Sequence, residues 1–429
     1  MEIPSLLNPY RIFLSKLAFY ENLCVYDSYM NCRVCGRADL VAQWDFGKIP
    51  YGDTFTDSRE TAQSLQKYPL VLGKCMSCQF LQLVSDPINL DIYQDYLYRS
   101  SSTVGLLERY RDIARHLDEL SIPKECRKIL DIGCNDGTFL KCFKTTDLRV
   151  GIDPSPSLRS IEENSLILVN EFFGIGNSAR VIELAPFDII TTNFTLANVN
   201  NPQEFISLAS ELMHSDSILS IVTGYHPDQF SLNMFEYINH DHISYFRLTD
   251  LERLLVKSGL KVIYASRFEE KGGSLQVVAK KTSSSLNVSR EVEKLRERES
   301  TVEQFARDEV YQLRRRVERQ KDMLVKSLAI FNQVDGVGAS ISTSGLIRYF
   351  GLEAKIKCLY DDNEKKFKRF NPGAGIPVFP LSEVKSRENK SPLVIFAWQH
   401  KKAILQRLKK IGFEGQILVP LPALEKADI

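Results

Sequence analysis

Two Cys-x-x-Cys pairs near the start of this 429-residue chain, Cys32 with Cys35 and Cys75 with Cys78, constrain its fold more than any other feature. Zinc takes four ligands in a tetrahedron, and thiolate sulfurs suit it. Each pair can place two sulfurs on one side of the ion, so that the second pair closes the tetrahedron. Because a four-cysteine site leaves no open position for water, we expect structural rather than catalytic zinc. The alternatives are redox-active or incidental cysteines.

The segment that contains these pairs, residues 31–95, has a hydrophobic core too small to fold without a cross-link, which a metal ion would supply. A zinc ribbon can also bind nucleic acid, but no basic and aromatic surface accompanies this one. The formal net charge of the chain is +1, so no overall field attracts nucleic acid or an anionic membrane. No apolar run approaches the roughly 18 residues of a membrane span, and residues 1–30 lack a secretory-signal pattern. We expect a cytoplasmic protein with no nucleic-acid partner and no membrane partner.

A glycine-rich turn follows an apolar strand at residues 130–137, with the sequence LDIGCNDG. Gly133 and Gly137 let the backbone approach a ligand closely. Their spacing differs from that of the G-x-G-x-x-G dinucleotide fingerprint. Asp131 suits the positively charged amino-acid end of S-adenosylmethionine, and Asp153, at the end of the next strand, suits the two ribose hydroxyls of a nucleoside. The alternative is a structural turn with solvent-facing acids.

Strand-like and helix-like segments alternate through most of the chain, which is typical of parallel sheets covered by helices on both faces. Between residues 284 and 330, apolar residues recur every three or four positions among many charges. This spacing predicts one long amphipathic helix, or two in succession, joining two α/β domains. A second small turn at Gly336 and Gly338, with Asp361 and Asp362 further on, is more typical of packing than of a second cofactor site.

Two histidines, His240 and His242, flank Asp241 in a chain that has six histidines in all. Imidazole has an ordinary pKa near 6.5 and suits general acid–base work near neutral pH. Asp241 could orient the ring or raise its basicity. The alternatives are a helix-capping or core pair of histidines, or a metal site. Tyr96 and Tyr98 could donate hydrogen bonds to an oxyanion or a cofactor, or form an aromatic cover over a loop.

These motifs together resemble the zinc-containing sugar C-methyltransferases, S-adenosylmethionine-dependent enzymes that methylate C3 of nucleotide-linked 4-keto deoxysugars. The resemblance covers residues 30–425. It rests on the two cysteine pairs, on ILDIGCNDG, and on the later segments GGSLQVVA (272–279), DGVGASISTSGLIRYFGL (335–352), YDDN (360–363) and PGAGIPV (372–378).

The resemblance and the patterns above divide the chain into five expected parts. These are an N-terminal lead-in (1–30), a small zinc-binding domain (31–95), a central Rossmann-like class I methyltransferase domain that binds S-adenosylmethionine (96–283), a helical connector (284–330) and a C-terminal α/β substrate-binding domain (331–429). The implied partner is a nucleotide-sugar substrate, and the expected oligomeric state is a monomer or a homodimer.

The resemblance also assigns roles to individual residues. The family motif YHEHLSYF reads NHDHISYF at residues 239–246, which places His242 on the catalytic base, Asp241 on a glutamate and Asn239 on a tyrosine. The expected catalytic set is His242, Asp241, Tyr96, Tyr98 and Lys271, the last standing where the family has histidine before Gly-Gly-Ser-Leu. The expected cofactor set is Asp131, Gly133, Asn135, Gly137, Asp153 and Asn193.

The implied reaction is removal of a proton next to a ketone by His242, followed by methyl transfer to the resulting carbanion. Lys271 could stabilise the enolate oxygen. Two alternatives remain open at this point. One is a divergent methyltransferase that acts on an oxygen or nitrogen of a glycan or small-molecule precursor. The other is a catalytically silent relict that binds the cofactor or a nucleotide sugar.

Overall fold

The computed structural model describes residues 30–85, 99–103, 105–160, 165–174, 176, 178–283, 287–303, 308–386 and 391–428. Three sheets of four, seven and six strands organise this part of the chain. Tyr96 and Tyr98 lie outside the described residues, as do most of the lead-in and the segments 86–98 and 284–286. The predicted domain boundaries at these segments therefore stay predictions.

The N-terminal sheet is antiparallel and contains β1 (Leu40–Pro50), β2 (Lys67–Cys75) and β3 (Leu81–Leu83), with the short helix α1 (Arg59–Ser64) between β1 and β2. Its fourth strand, Ser244–Tyr245, comes from the central domain and pairs with β3. The zinc-binding unit and the central domain therefore share one sheet. The shared strand follows directly on the predicted catalytic histidine.

The central sheet is mostly parallel. Its strands are β4 (Lys128–Ile132), β5 (Leu148–Ile152), β6 (Leu166–Val169), β7 (Phe187–Asn193), β8 (Met213–Gly224), β10 (Leu260–Phe268) and β11 (Ser274–Lys281), where β9 is the short Ser244–Tyr245 strand. They lie in the order β10-β11-β8-β7-β4-β5-β6, and β11 runs antiparallel to both of its neighbours. Its helices are α2 (Leu106–Leu120), α3 (Ala179–Leu184), α4 (Pro202–Glu211), α5 (His226–Ser231) and α6 (Leu248–Lys257).

The strand order of this sheet reverses at β4, which pairs in parallel with β5 on one side and with β7 on the other. Ligands of open α/β sheets bind at the carboxyl ends of the strands at such a point. The glycine-rich turn leaves β4 there, which confirms the predicted Rossmann-like arrangement. The glycine-rich turn is followed by a single 3-10 turn, Leu140–Cys142, rather than by an α-helix.

The connector contains two helices, α7 (Arg290–Glu303) and α8 (Glu309–Leu328). The apolar face of α8, which includes Val310, Leu313 and Val317, is buried in one core with residues of the N-terminal sheet and the C-terminal domain. The connector helix α8 is therefore packed within the chain.

None of the helices in the described residues combines the length and apolar character that crossing a bilayer requires.

The C-terminal domain is a second α/β unit. Its strands are β12 (Val334–Val337), β13 (Ile356–Asp361), β14 (Val378–Pro380), β15 (Leu393–Ile395), β16 (Ile417–Val419) and β17 (Glu425–Ala427), in the order β14-β13-β12-β15-β16-β17. Its α-helices are α9 (Ile341–Phe350) and α10 (Lys401–Ile411). All pairs are parallel except β16 with β17. Here too the chain order reverses, at β12, so the carboxyl end of β12 can face a ligand.

Candidate active site

The four predicted metal ligands converge. The Sγ atoms of Cys32 and Cys78 are 3.5 Å apart, as are those of Cys35 and Cys75, and all four lie within 4.8 Å of one another. Four sulfurs at about 2.3 Å from one zinc ion stand roughly 3.8 Å apart in a tetrahedron, so the cluster fits zinc with little movement. With four thiolates present the coordination is complete, and the residues fit a structural ion.

Each cysteine pair lies on a tight backbone turn that aims both sulfurs inward. The amide of Gly36 donates to the carbonyl of Cys32, and the amide of Gln79 donates to the carbonyl of Cys75, both at 2.8 Å. Gly36 and Gln79 follow the second cysteine of their pairs and both have a left-handed backbone, with φ of 80° and 64°. The same local geometry therefore recurs on both sides of the metal position.

The zinc-binding unit is connected directly to the loop that carries His242. The amide of Leu83 on β3 donates to the carbonyl of Ile243 at 3.0 Å. Arg33, which lies between two zinc ligands, donates from Nη1 to the carbonyls of Leu83 (2.9 Å) and Ile243 (3.3 Å). The metal unit thus fixes the backbone one residue away from the predicted base.

The cofactor turn has the close approach that its glycines predict. Gly133 has φ of 79°, and a Cβ placed there would come within 1.9 Å of the Thr195 hydroxyl oxygen. Asn135 also has a left-handed backbone, with φ of 51°, and its side-chain Oδ1 accepts from the amide of Ser100 at 2.9 Å. A larger residue at Gly133 would force the turn away from β7. The segment that begins at Ser100 closes over the turn.

The two acidic residues of the cofactor set occupy different positions. Asp153 lines the cavity at the end of β5, and its two oxygens accept from the amides of Asn135 (2.9 Å) and Ser155 (2.8 Å). Each oxygen keeps a further lone pair, so the carboxylate can also accept from ribose hydroxyls. Asp131 is only 1% exposed and lies beneath the turn, where its Oδ1 accepts from Thr191 at 2.7 Å. Burial raises the pKa of Asp131 to about 7.

Asn193 connects Asp131 to the cavity. Its Nδ2 donates to Asp131 Oδ1 at 3.2 Å, while its Oδ1 is buried without a hydrogen-bond partner among the described residues. Asn193 lines the cavity together with Gly133, Asn135 and Asp153. An unpartnered buried oxygen beside the glycine turn fits the ammonium group of a bound S-adenosylmethionine, which donates hydrogen bonds. Asp131 supports this amide from below rather than lining the cavity itself.

The cavity extends from this turn to the C-terminal domain and has a volume of about 1360 Å³. On the far side it is lined by Gly338, Tyr360 and Asp361 at the carboxyl ends of β12 and β13, and by Arg407 of α10. Ligand sites commonly have volumes of about 300–1,000 Å³. The space therefore suits a nucleoside cofactor and a second molecule together.

His242 lies on the wall of this cavity, partly exposed to it. Its Nδ1 is 3.1 Å from the carbonyl oxygen of Tyr237, which can only accept, and 3.3 Å from Asn239 Nδ2, which already donates to that carbonyl, so we assign the proton to Nδ1. The Tyr237 ring stacks on the imidazole with ring centres 4.1 Å apart. Burial, reinforced by the charge of Lys271, lowers the pKa of His242 to about 4. The imidazole is therefore neutral near pH 7 and keeps its lone pair on Nε2.

Asn239 and Asp241 shape the loop in ways that the sequence did not show. Asn239 Oδ1 accepts from the amides of Asp241 (3.0 Å) and His242 (3.3 Å), which fixes a local turn. Its Nδ2 donates to the Tyr237 carbonyl at 3.2 Å. The ring of His242 is therefore oriented by Tyr237, with Asn239 beside it, rather than by Asp241. The Asp241 carboxyl is 5% exposed, and burial raises its pKa to about 7.

Lys271 and His242 line the same cavity. The Lys271 ammonium is 4.0 Å from the centre of the Phe194 ring, a cation–π distance. Lys271 has a left-handed backbone with φ of 56° and is followed by two glycines with φ of 77° and 118°. This strained turn places a cation on the cavity wall, close enough to His242 for its charge to help lower the pKa of the imidazole. The other histidine, His240, points elsewhere, with Nε2 3.2 Å from the carbonyl of Pro69.

The second glycine turn is held by packing contacts. Gly338 has φ of 99°, and a Cβ there would lie 2.5 Å from the Cβ of Ala397. Asp361 accepts from the amide of Ala339 at 2.7 Å. Both Gly338 and Asp361 nevertheless line the cavity. This turn therefore combines packing contacts with a place on the cavity wall.

Sequence reasoning missed Tyr237 and Glu236 in this region. Tyr237 contacts His242 through its ring and through its backbone carbonyl, and the carbonyl contact leaves no signal in the residue type. Glu236 is 3% exposed, and its Oε1 accepts from Trp398 Nε1 of the C-terminal domain at 2.6 Å. Glu236 could have been found from the sequence, because an acidic residue between Phe235 and Tyr237 in an apolar stretch is expected to be buried and to need a hydrogen-bond partner.

Comparison with known proteins finds three family descriptions in order along the chain. Residues 32–87 match a zinc binding domain, residues 106–265 a methyltransferase domain, and residues 269–422 a C-methyltransferase C-terminal domain. The C-methyltransferase NovU of Streptomyces niveus is 25% identical over 407 residues, which cover 91% of this chain and 95% of NovU.

Solved structures also resemble the chain in part. An S-adenosylmethionine-dependent methyltransferase from Archaeoglobus fulgidus is 18% identical, with 41% of this chain and 94% of that chain covered and a TM-score of 0.33. The CurJ carbon methyltransferase is 12% identical, with 45% of this chain and 57% of that chain covered and a TM-score of 0.33.

The order of the three matched domains agrees with the geometry: four convergent thiolates, a glycine turn at the reversal point of a seven-stranded sheet, and a C-terminal α/β domain facing that turn. The chain is therefore an S-adenosylmethionine-dependent methyltransferase whose matched segments are, in order, a zinc binding domain, a methyltransferase domain and a C-methyltransferase C-terminal domain.

Proposed function

We propose that this enzyme methylates a carbon atom next to the ketone of a nucleotide-linked keto deoxysugar. The observation that carries the proposal is the state of His242: a neutral imidazole whose Nδ1 is tied to the Tyr237 carbonyl and whose Nε2 is left as a base in the cofactor cavity. Methylation of an unactivated carbon needs such a base, because the carbon must first lose a proton. The name of NovU and the C-terminal family description support carbon as the acceptor.

The residues divide the chemistry between the two sides of the cavity. His242 Nε2 takes the proton from the carbon, and the Lys271 ammonium stabilises the negative charge that develops on the ketone oxygen. Bound S-adenosylmethionine supplies the methyl group. Asp153 and Asn193 hold the donor, and the C-terminal domain holds the acceptor, so that the carbanion and the methyl group are kept in line.

The C-terminal lining of the cavity supports a nucleotide sugar as the acceptor. Lys365, an exposed basic side chain, lines it beside the Gly338 turn, and Arg407, also exposed, lines it while paired with Asp362. Basic side chains near a glycine turn suit the diphosphate of a nucleotide sugar. Asn239 and Lys271 differ from the family pattern and line the same cavity as His242, so we expect a sugar different from that of the typical members.

The test is mass spectrometry of zinc-loaded enzyme incubated with S-adenosylmethionine and a panel of nucleotide-linked 4-keto deoxysugars. We expect one acceptor to gain the mass of one methylene unit, with the new carbon signal attached to a ring carbon by NMR. A methyl group found on oxygen or nitrogen would overturn the proposal in favour of a heteroatom methyltransferase. Tight cofactor binding without product from any acceptor would favour a silent relict.

A further inference from the structure

A second cavity, which we name the rear cavity, lies behind the catalytic loop and has a volume of about 370 Å³. It lies between the N-terminal sheet, residues 235–241 and helix α9. Asn239, Asp241 and Ile341 line both cavities and so form the partition between the rear cavity and the cofactor cavity. Its apolar wall is made by Phe46, Ile49, Leu70, Phe235, Ile238 and Ile347.

Three buried polar groups on the wall of the rear cavity have an atom without a hydrogen-bond partner in the described part of the chain. They are Oε2 of Glu236, Oδ1 of Asp241 and the hydroxyl of Tyr51. The residues are 3%, 5% and 9% exposed. Buried polar groups are nearly always paired in folded proteins, so these atoms indicate a missing partner: the two carboxylate oxygens need a hydrogen-bond donor, and the Tyr51 hydroxyl can accept or donate.

The charges around the rear cavity indicate what that partner is. Glu236 and Asp241 are acids, whereas the basic Arg348 is already used: it is 3.7 Å from Glu353 and donates to the carbonyl of Lys48. His240 also lines the cavity, but burial lowers its pKa, so it adds no charge near neutral pH. The lining therefore has an excess of acid over base. A ligand with a positive head and an apolar body would complement it.

We propose that the rear cavity is a second ligand site, which binds a small organic ammonium with its charged head against the carboxyl of Glu236 and its apolar body against the walls. This site is separate from the methyl-donor site and does not depend on the acceptor proposed above. Because Asp241 belongs to the loop that carries His242, an occupant would contact the back of the catalytic loop. Burial raises the pKa of both carboxyls to about 7, so cation binding would release protons and strengthen as pH rises towards 8.

The experiment uses full-length, zinc-loaded protein and three probes that share one body: cyclohexylammonium, cyclohexanol and cyclohexanecarboxylate. Calorimetry should show binding in the order cation, alcohol, anion. The affinity for the cation should be unchanged by saturating S-adenosylhomocysteine, because the two cavities are separate. Equal binding of the cation and the alcohol, or loss of cation binding when S-adenosylhomocysteine is added, would overturn the proposal.

Two variants and a control locate the site. Glu236→Gln keeps an oxygen to accept from Trp398 and removes the charge, and it should weaken cyclohexylammonium binding about ten- to hundredfold while leaving cyclohexanol unchanged. Gly345→Leu fills the cavity from α9, since a Cβ at Gly345 meets no atom within 4 Å, and it should abolish binding of both probes. The control, Glu383→Gln, changes an exposed carboxylate elsewhere. Unchanged cation affinity in Glu236→Gln, or in a folded Gly345→Leu protein, would contradict the proposed site.

Discussion

Replacing Arg33 with methionine tests whether the zinc-binding unit positions the catalytic loop. Methionine keeps a long apolar side chain but loses both hydrogen bonds, to Leu83 and to Ile243. A hydrogen bond from a charged donor contributes about 1.5–3 kcal/mol when it cannot be replaced. Because the Arg33 side chain is half-buried and water can replace part of the loss, we expect about 2 kcal/mol for the pair.

We expect most of that cost to appear in the position of His242, one residue from Ile243. Two kcal/mol corresponds to about a 30-fold decrease in kcat. The affinity for S-adenosylmethionine should remain within about twofold of wild type, since Gly133, Asp153 and Asn193 lie on the central sheet. The assay combines steady-state kinetics, cofactor titration by calorimetry and zinc content by atomic emission.

The matched control is Arg37→Met, in the same zinc-binding unit. Arg37 is exposed and donates to the Ser77 hydroxyl at 3.1 Å, away from the catalytic loop. We expect it to retain zinc and kcat. If Arg33→Met keeps wild-type kcat, or if both variants lose activity together with their zinc, the connection between the metal unit and the base is refuted.

Three further predictions concern pH and the cofactor turn. Since the pKa of His242 is lowered to about 4, the pH profile of kcat/KM should show no protonation of this group between pH 5 and 8, and kcat/KM should decrease only when the pH is below about 4. An inflection near pH 6.5 that is lost in His242→Gln would contradict this. Gly133→Ala should abolish S-adenosylmethionine binding in calorimetry, whereas Gly174→Ala, in the same cavity with open space around it, should bind normally; equal affinities would be inconsistent with the close approach to Thr195. Burial raises the pKa of Asp131 to about 7 in the folded protein, so between about pH 4 and 7 the folded state holds a proton that the unfolded state has released. Wild type should therefore lose stability relative to Asp131→Asn as pH rises from about 4 to 7. A constant difference in melting temperature would argue against a buried, raised pKa.

The sequence predicted features that depend on local pattern and on ligand chemistry. The cysteine pairs converge because each pair fixes its own turn, and the strand before Gly133 is predicted from the apolar residues Ile129, Leu130 and Ile132, which are buried in the structure. Both inferences need only the spacing of residues within a few positions. The same holds for the alternation of strands and helices, which confirmed the α/β fold.

Features that depend on long-range contacts were beyond the sequence. Asp131 reads as a cavity carboxylate, yet the strand on which it lies buries it under the turn. The orientation of His242 comes from a backbone carbonyl at Tyr237, whose position is not encoded by its side chain type. The rear cavity forms only where three parts of the chain meet, so no single segment shows it. The roles given to Tyr96 and Tyr98 stay predictions outside the described residues.

The central claim, that His242 removes a proton from carbon, is tested most directly by deuterium uptake. The enzyme would be incubated in heavy water with S-adenosylhomocysteine and a nucleotide-linked keto deoxysugar, and the proton next to the ketone would be followed by NMR. The account predicts exchange by wild type and by His240→Gln, whose imidazole contacts Pro69 instead, and at least a hundredfold loss in His242→Gln, within the range of about 10²–10⁴ for a general base. Exchange that continues unchanged in His242→Gln would contradict it.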